Sequence, residues 1–419
     1  MMQRFDAEEG RGSEKTCVPT RFIFLFLAVQ VYAMLYIFPA AAPTPTVTVA
    51  PAPAVLTLRS IVHLPAASCD AFQASSPSGS KLELQRVTVE GPQPAEWLYL
   101  LAHTPEAPLA IEAAMTQTES MMAVAYKKIL LDSAKWGVAL PREAVSEIVA
   151  ASRRYAIIEV GVHGGWFASL AFKFGGHRVI GFDMQPWCVA ISRCTLLVNG
   201  AAVASPIIFN RYVSHDSATI NVSGTSCGGI YSVDNHVRGE VAVRPVHLGR
   251  FFSEKETVAD LNLDADFEVP LLKSDTEGFE AVVLETALPL LGRIHNILLE
   301  VYAVRWAPQG IDVSRALAVF ECVHAAGMDE MIDLPRRDLD YVIPGEIDLD
   351  VLPSGRLHKS WAEWRVQLGF IMAQKNGLVN PNLWLRWGSE EARKHVARYG
   401  LRDVAACAGP LVWNSNTAP

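Results

Sequence analysis

Ala156-Ile157-Ile158-Glu159-Val160-Gly161-Val162-His163-Gly164-Gly165-Trp166 reads as a buried strand, a glycine bend and the start of a helix. A short, mostly apolar run ended by glycine marks a strand covered on both faces. Working outward, the same alternation recurs. Phe167 to Phe174 can form a helix stopped by Gly175-Gly176, and Val179-Ile180-Gly181-Phe182-Asp183 is a second strand. A helix begins at Pro186, which suits the first helical position, and ends at Asn199-Gly200. Pro206 to Val213, Val269 to Ser274 and Asn296 to Tyr302 are three more strand candidates. Strands alternating with helices predict an α/β fold with a doubly wound, mostly parallel sheet and helices on both faces. Ligands bind such sheets outside the carboxyl ends of the strands, at the switch point. Gly161, Asp183, Asp275 and Glu300 are therefore expected around one crevice.

The residue types at those tips narrow the ligand. A dinucleotide fingerprint would place glycine at 161, 163 and 166. Here 163 is His and 166 is Trp, both bulky where a diphosphate needs room. Glu159 at the strand end suits a cationic ligand instead, such as a sulfonium. Asp183 stands 24 residues after Glu159, at the tip of the second strand. A carboxylate there can accept hydrogen bonds from both hydroxyls of an adenosine ribose. Pro270-Leu271-Leu272-Lys273-Ser274-Asp275-Thr276-Glu277-Gly278-Phe279-Glu280 then delivers Asp275 and Glu277 to a third tip, with Gly278 permitting close approach. Helix capping alone would account for Glu277 or Glu280, but less readily for the whole acidic tip.

Leu272 to Glu280, followed by Ile297-Leu298-Leu299-Glu300-Val301, resembles the signature region of the FkbM-like methyltransferases, a Lys-x-Asp-x-Glu-Gly-x-Glu run and an apolar strand closing with Glu. Glu159 to Gly165 aligns with that family's Asp-x-Gly-Ala-Asn-x-Gly loop, and Phe182-Asp183-Met184-Gln185-Pro186 with its Phe-Glu-Pro-x-Pro stretch. Asn199 falls where the family commonly has Asn. Glu159 replaces Asp, His163 replaces Asn and Met184 replaces Pro. The resemblance spans roughly residues 150 to 330. It implies a Rossmann-like class I fold, S-adenosylmethionine (SAM) as methyl donor and O-methylation of a hydroxyl, sugar hydroxyls included. The expected cofactor contacts are Glu159, Gly161, His163, Gly165, Asp183, Met184, Asn199 and Asp275. Asp275 is the first candidate to receive the acceptor's proton, with Glu277 positioning substrate or the methionine amine. His163, His215 and His247 are weaker candidates.

The flanks set the context. Phe22 to Ala42 carries no charge and is long enough to cross a bilayer, with Arg4, Arg11, Lys15 and Arg21 before it and no positive charge after it until Arg59. The basic side should stay cytosolic, which makes a single-pass type II membrane protein with its head in the lumen of the Golgi or endoplasmic reticulum. A cleaved signal peptide is the competing reading, since Ala40 to Ala42 offer a cleavage site. The expected layout is a cytosolic tail (1–21), an anchor (22–42) and a Pro/Thr/Ser-rich stalk (43–85). A catalytic domain with a helical lead-in (86–345) and a Trp-containing extension (346–419) complete it. Trp361, Trp364, Trp384 and Trp387 of that extension are expected to pack on the domain or to form an acceptor surface. Asn221-Val222-Ser223 is a glycosylation sequon.

A net charge of -8 without a Lys/Arg block argues against nucleic acid as a partner. Seven cysteines without a C-x-x-C pair predict no structural metal, with one or two disulfides open in an oxidising compartment. Cys188 and Cys194 read as packed thiols rather than partners. The expected partner is a small-molecule or glycan acceptor. Two other functions stay open: a type II glycosyltransferase, from Asp234-Asn235-His236, Asp264-Ala265-Asp266 and Asp348-Leu349-Asp350, and an inactive methyltransferase-like binding module.

Overall fold

The computed structural model describes residues 83–89, 96–102, 120–133, 153–175, 178–198, 207–215, 217–222, 227, 241–334, 358–373, 382–402, 404 and 407, all within the compact unit Leu58–Pro419. The proposed anchor, most of the stalk and Asn199 lie outside these residues. No helix among the described residues is long and apolar enough to cross a membrane.

The described residues open with an antiparallel hairpin of β1 (Glu83–Val89) and β2 (Glu96–Ala102), whose first residues fall inside the segment read as stalk. Helix α1 (Ser120–Ser133) follows, and then β3 (Ile157–Val160), α2 (Trp166–Gly175), β4 (Val179–Asp183), α3 (Pro186–Val198) and β5 (Ile207–Asn210). An inserted region carries β6 (Tyr212–Val213), β7 (Ile220–Val222), β8 (Val241–Val243), β9 (Pro245–Val246), α4 (Leu248–Phe251) and α5 (Lys255–Asp260). The second half comprises β10 (Leu272–Ser274), α6 (Glu280–Ala287), β11 (Asn296–Glu300), α7 (Val313–Ala325) and β12 (Glu330–Leu334). Last come β13 (His358–Lys359), α8 (Trp361–Ala373), β14 (Asn382–Arg386) and α9 (Glu390–Tyr399).

Eight strands form one sheet in the order β13-β12-β14-β11-β10-β3-β4-β5. From β11 to β5 every pairing is parallel, while β14 runs antiparallel to both of its neighbours. The parallel strands β3 and β4 are buried along their whole length, as a sheet covered on both faces requires. Side chains alternate between the two faces. Ile158, Val160, Ile180, Phe182, Leu272, Ile297 and Leu299 share one core with residues of α4, α6, α7 and α8. Ile157, Val179, Ile208, Leu271 and Leu298 share the other with α1 and α2.

Three expectations change. The third strand splits: Ile207–Asn210 pairs with β4, whereas Tyr212-Val213 pairs with β9, a partner supplied from within the insertion. The fourth is interrupted: Val269 makes only an isolated bridge, since Pro270 has no N–H to donate, and pairing resumes at Leu272. The tail from 346 is no appendage, for β14 sits between β11 and β12 and sends Leu383 and Leu385 to one core and Trp384 to the other. Trp384 Nε1 donates to Asn296 Oδ1, and Asn296 Nδ2 to the Pro270 carbonyl, which ties the late strand to β11 and to the start of β10. Trp364 is fully buried against Phe320, their rings 4.8 Å apart, so this pair of tail tryptophans packs rather than facing solvent.

Cys188 and Cys194, read as packed thiols, are both disulfide-bonded: Cys188 pairs with Cys227, and elsewhere Cys322 pairs with Cys407 across 85 residues. The second bond fastens the end of the chain to α7. Chain entropy for a loop of that length gives about 4–5 kcal/mol of stabilisation. Cys322→Ala/Cys407→Ala should therefore lower the unfolding free energy by several kcal/mol while leaving the protein folded at 25 °C, read from urea denaturation followed by tryptophan fluorescence.

Candidate functional site

Strand register brings the predicted tips into one row. Val160 lies opposite Phe182 on one side and Ser274 on the other, and Ser274 lies opposite Leu299. The next residues, Gly161, Asp183, Asp275 and Glu300, are consequently neighbours along the carboxyl edge. Gly161 N–H donates to the Phe182 carbonyl and Asp275 N–H to the Val160 carbonyl. Strand order reverses between β3 and β10, which are parallel, and this places the row at the switch point of the sheet.

Glycine at 161 is dictated by contact as well as conformation. Its φ is +77°, and a β-carbon there would lie 1.7 Å from the Asp275 carbonyl oxygen. Gly165, at φ +82°, presses on the backbone of Ser192 in α3. Between them His163 takes φ +50°, a conformation that costs a residue with a β-carbon about 1–3 kcal/mol unless its surroundings hold it. Its backbone N–H donates to Asp183 Oδ2 at 2.9 Å, and Gln185 N–H donates to Oδ1 at 2.8 Å. Asp183 is buried, and burial, with the nearby Asp275 charge, pushes its carboxyl up to about 6 against those two hydrogen bonds. Met184 follows directly, its carbonyl accepting from Asn210 Nδ2.

The third tip is built differently. Glu277 and Gly278 both have positive φ, at +54° and +112°, and a β-carbon on Gly278 would come within 2.5 Å of Arg305 Cβ. Glu280 is fully buried and knits this turn together: Oε1 accepts from Gly278 N and from Thr276 Oγ1, and Oε2 from Tyr302 N. Glu280 is thus structural. Asp275 and Glu277 are left half-buried on the crevice.

Lys273 is the charged residue whose role the linear pattern did not assign. It is 2% exposed, 3.1 Å from Asp275 Oδ2, and its ammonium lies 4.3 Å from the centre of the Phe167 ring. Burial alone would raise the Asp275 carboxyl, but the Lys273 charge and a hydrogen bond with Glu300 hold it below the usual carboxylate range. A charged residue in the middle of an apolar strand was the available signal. Glu159, expected on the crevice wall, is instead fully buried in β3, in register with Lys273 and facing the α1 side near Tyr126.

Carboxylate oxygens of Asp275, Glu277 and Glu300 lie within 4.8 Å of one another, close enough for a divalent cation, yet Lys273 already supplies positive charge there. His163 lies equally near Cys188 and Cys227, but those sulfurs are bonded to each other and offer no thiolate. His247 caps α4 through Nδ1, with its ring held neutral, at about 4, by burial and by Arg250. His215 sits 3.9 Å from Glu285.

No family profile and no curated protein matches the chain. Among solved structures it is similar to a crystal structure of WbdD (TM-score 0.29, 11% identity), covering 64% of this chain and 40% of that one. It is also similar to residues 961–1257 of the StiE O-MT (TM-score 0.29, 10% identity, 70% of this chain and 82% of that one). A third similar structure is the O-methyltransferase from Bacillus cereus in complex with SAH (TM-score 0.27, 11% identity, 53% of this chain and 94% of that one). The fold is defined by the strand order above, not by these likenesses.

Removing the Lys273 ammonium should release Asp275. In Lys273→Met the Asp275 carboxyl is expected to titrate at a higher pH, read by carbon-13 NMR of labelled aspartate. Stability should fall by roughly 3 kcal/mol, the cost of leaving a partly buried charge unpaired.

Proposed function

We propose that the chain is a SAM-dependent methyltransferase acting on a hydroxyl of a sugar or another small molecule. The observation that carries this reading is the row of Gly161, Asp183 and Asp275 at the switch point. The sheet departs from the dinucleotide-binding order by β14, inserted antiparallel beside β11, and by β13, antiparallel at the β12 edge. The resemblance to FkbM-like sequences at 159–165 and 272–280 points the same way.

The residues fit the cofactor. Asp183 spends one hydrogen bond per carboxylate oxygen on backbone N–H groups, and each oxygen keeps acceptor capacity for a ribose hydroxyl. Bound SAM would supply a methyl group on a positively charged sulfur. The Asp275 carboxylate stays charged before reaction, favouring a cation nearby and accepting a hydrogen bond from the incoming hydroxyl to fix its direction; it would take that proton as the new C–O bond forms and the methyl–sulfur bond breaks. Glu277, next to it, would orient the acceptor or the methionine amine. Such alignment supplies most of what methyl transfer needs, because the leaving thioether is neutral. Fixed carboxylates on a crevice wall need no rearrangement as charge moves.

The disulfides of the described head support an oxidising compartment, and with the apolar run at 22–42 they favour a type II protein with a lumenal head. A glycosyltransferase is less well supported. Asp264-Ala265-Asp266 precedes β10, at the amino end of the sheet and away from the crevice, and Asp264 pairs with Arg153. The other two acidic triplets lie outside the described residues.

Calorimetry with S-adenosylhomocysteine (SAH) tests the assignment: binding at pH 7.5 is expected, while UDP-sugar binding with Mn²⁺ and none of SAH would overturn it. Asp183 must be ionised to accept both hydroxyls, so affinity should fall as pH drops through about 6. Asp183→Asn should bind weakly at every pH. The raised pKa also has a stability sign. The neutral form favours the fold, so this contribution is present below about 4 and lost as pH rises through about 6 in the cofactor-free protein.

Asp275→Asn should keep the fold and lose methyl transfer by at least about a hundredfold, measured with labelled SAM over a panel of free sugars and glycans. Full turnover in that variant would remove Asp275 from the mechanism. SAH binding without turnover on any acceptor would favour the inactive module.

A further inference from the structure

The glycine loop rests on α3, and the contact surface is one face of that helix. A β-carbon on Gly165 would lie 3.0 Å from Ser192 Cα, and one on Gly164 would lie 3.9 Å from Ile191 Cγ2. Cys188 stands one turn earlier, in the spacing that puts it on the same face. Its sulfur is fully buried and bonded to Cys227, a residue of the connection between β7 and β8. A ring nitrogen of His163 and both sulfurs lie within 4.8 Å of one another. Cys227 also packs on Trp187, Ile191 and Cys194, so the bond ties the inserted region to the first turn of α3 directly beside the loop.

His163 combines an exposed side chain with a left-handed backbone, and such a conformation persists only where its neighbours over-determine it. The hydrogen bond from its N–H to Asp183 is one constraint. Another is the sulfur pair, which lies within 4.8 Å of a ring nitrogen. Both constraints act on a residue lying between Gly161, at the centre of the row, and Asp183.

We propose that the Cys188–Cys227 disulfide positions the glycine loop: it buttresses the His163 ring, holds residues 161–165 in their left-handed bend, and thereby presents the backbone to the cofactor in one shape. This rests on the reading of the crevice as a SAM site. The disulfide touches no reacting atom; it acts through His163. The insertion thus contributes to the crevice through a covalent tie.

Hydrogen exchange over 161–165 and SAH calorimetry test the proposal together, using the intact chain. In Cys188→Ala/Cys227→Ser, exchange of the loop amides should rise about tenfold, and SAH affinity should fall about tenfold, which is 1.4 kcal/mol. Cys322→Ala/Cys407→Ala, whose bond is tied to α7, should change neither readout at 25 °C. His163→Ala with the bond intact should loosen the loop similarly, and the two changes combined should give less than their sum, because both act through one contact. Unchanged loop exchange in the folded cysteine variant, or strict additivity with His163→Ala, overturns the proposal. If the cysteine variant does not fold, His163→Ala decides alone, and an unaltered loop overturns it. Should the wild type bind no SAH, the methyltransferase reading fails, while loop exchange still decides the role of the disulfide.

Discussion

Lys273 and Asp275 share one salt link under the carboxyl edge of the sheet, and the arrangement of acids around it depends on that link. Asp183, Asp275, Glu277 and Glu300 all reach the same edge, with Glu159 buried two residues below it. Two like charges at about 4 Å cost about 4 kcal/mol even at the effective dielectric of a protein surface. A single ammonium, sandwiched between the Phe167 face and Asp275, offsets part of that repulsion. Backbone N–H groups aimed at Asp183 offset another part. What remains appears as two carboxyls driven in opposite directions: Asp183 becomes easier to protonate and Asp275 harder. Neighbouring acids with separated titrations can divide the work of binding a nucleoside and steering an acceptor.

The backbone supports the same edge by unusual means. Five residues near it have positive φ, and two of them, His163 and Glu277, carry side chains that disfavour that conformation. Each is over-determined by what surrounds it. Glu280, inaccessible to solvent, accepts three hydrogen bonds from the turn that contains Glu277 and a fourth from Tyr302, so the acidic tip is clamped to the end of β11. On the other side, α3 and its disulfide back the glycine bend. A rigid rim of this kind loses little conformational entropy when a ligand docks.

The sheet is completed by chain that lies far from the site. β14 contributes to both cores, and its tryptophans serve packing rather than recognition: Trp387 donates from Nε1 to the Ile294 carbonyl, and Trp384 reaches Asn296. Its antiparallel entry beside β11 keeps the carboxyl end of β11 in place, and with it Glu300. The far end of the molecule therefore bears on the site through strand pairing, not through contact with it.

The parallel strands and their acidic tips were legible in the linear pattern, because a buried strand must be an apolar run and must end where glycine or charge begins. Gly161, Asp183 and Asp275 declared themselves in that way, by local chemistry alone. Which side of a strand a residue faces, and what waits there, is set by packing of distant elements. Glu159 thus turned inward, Lys273 found Asp275 and Phe167, and Tyr212-Val213 left the sheet to pair with β9. The partner of Cys188 and the place of β14 depend on contacts 39 and more than 80 residues away. Such pairings leave no periodic trace, since chain entropy lets a loop close at many lengths for nearly the same cost, and only the folded core selects among them.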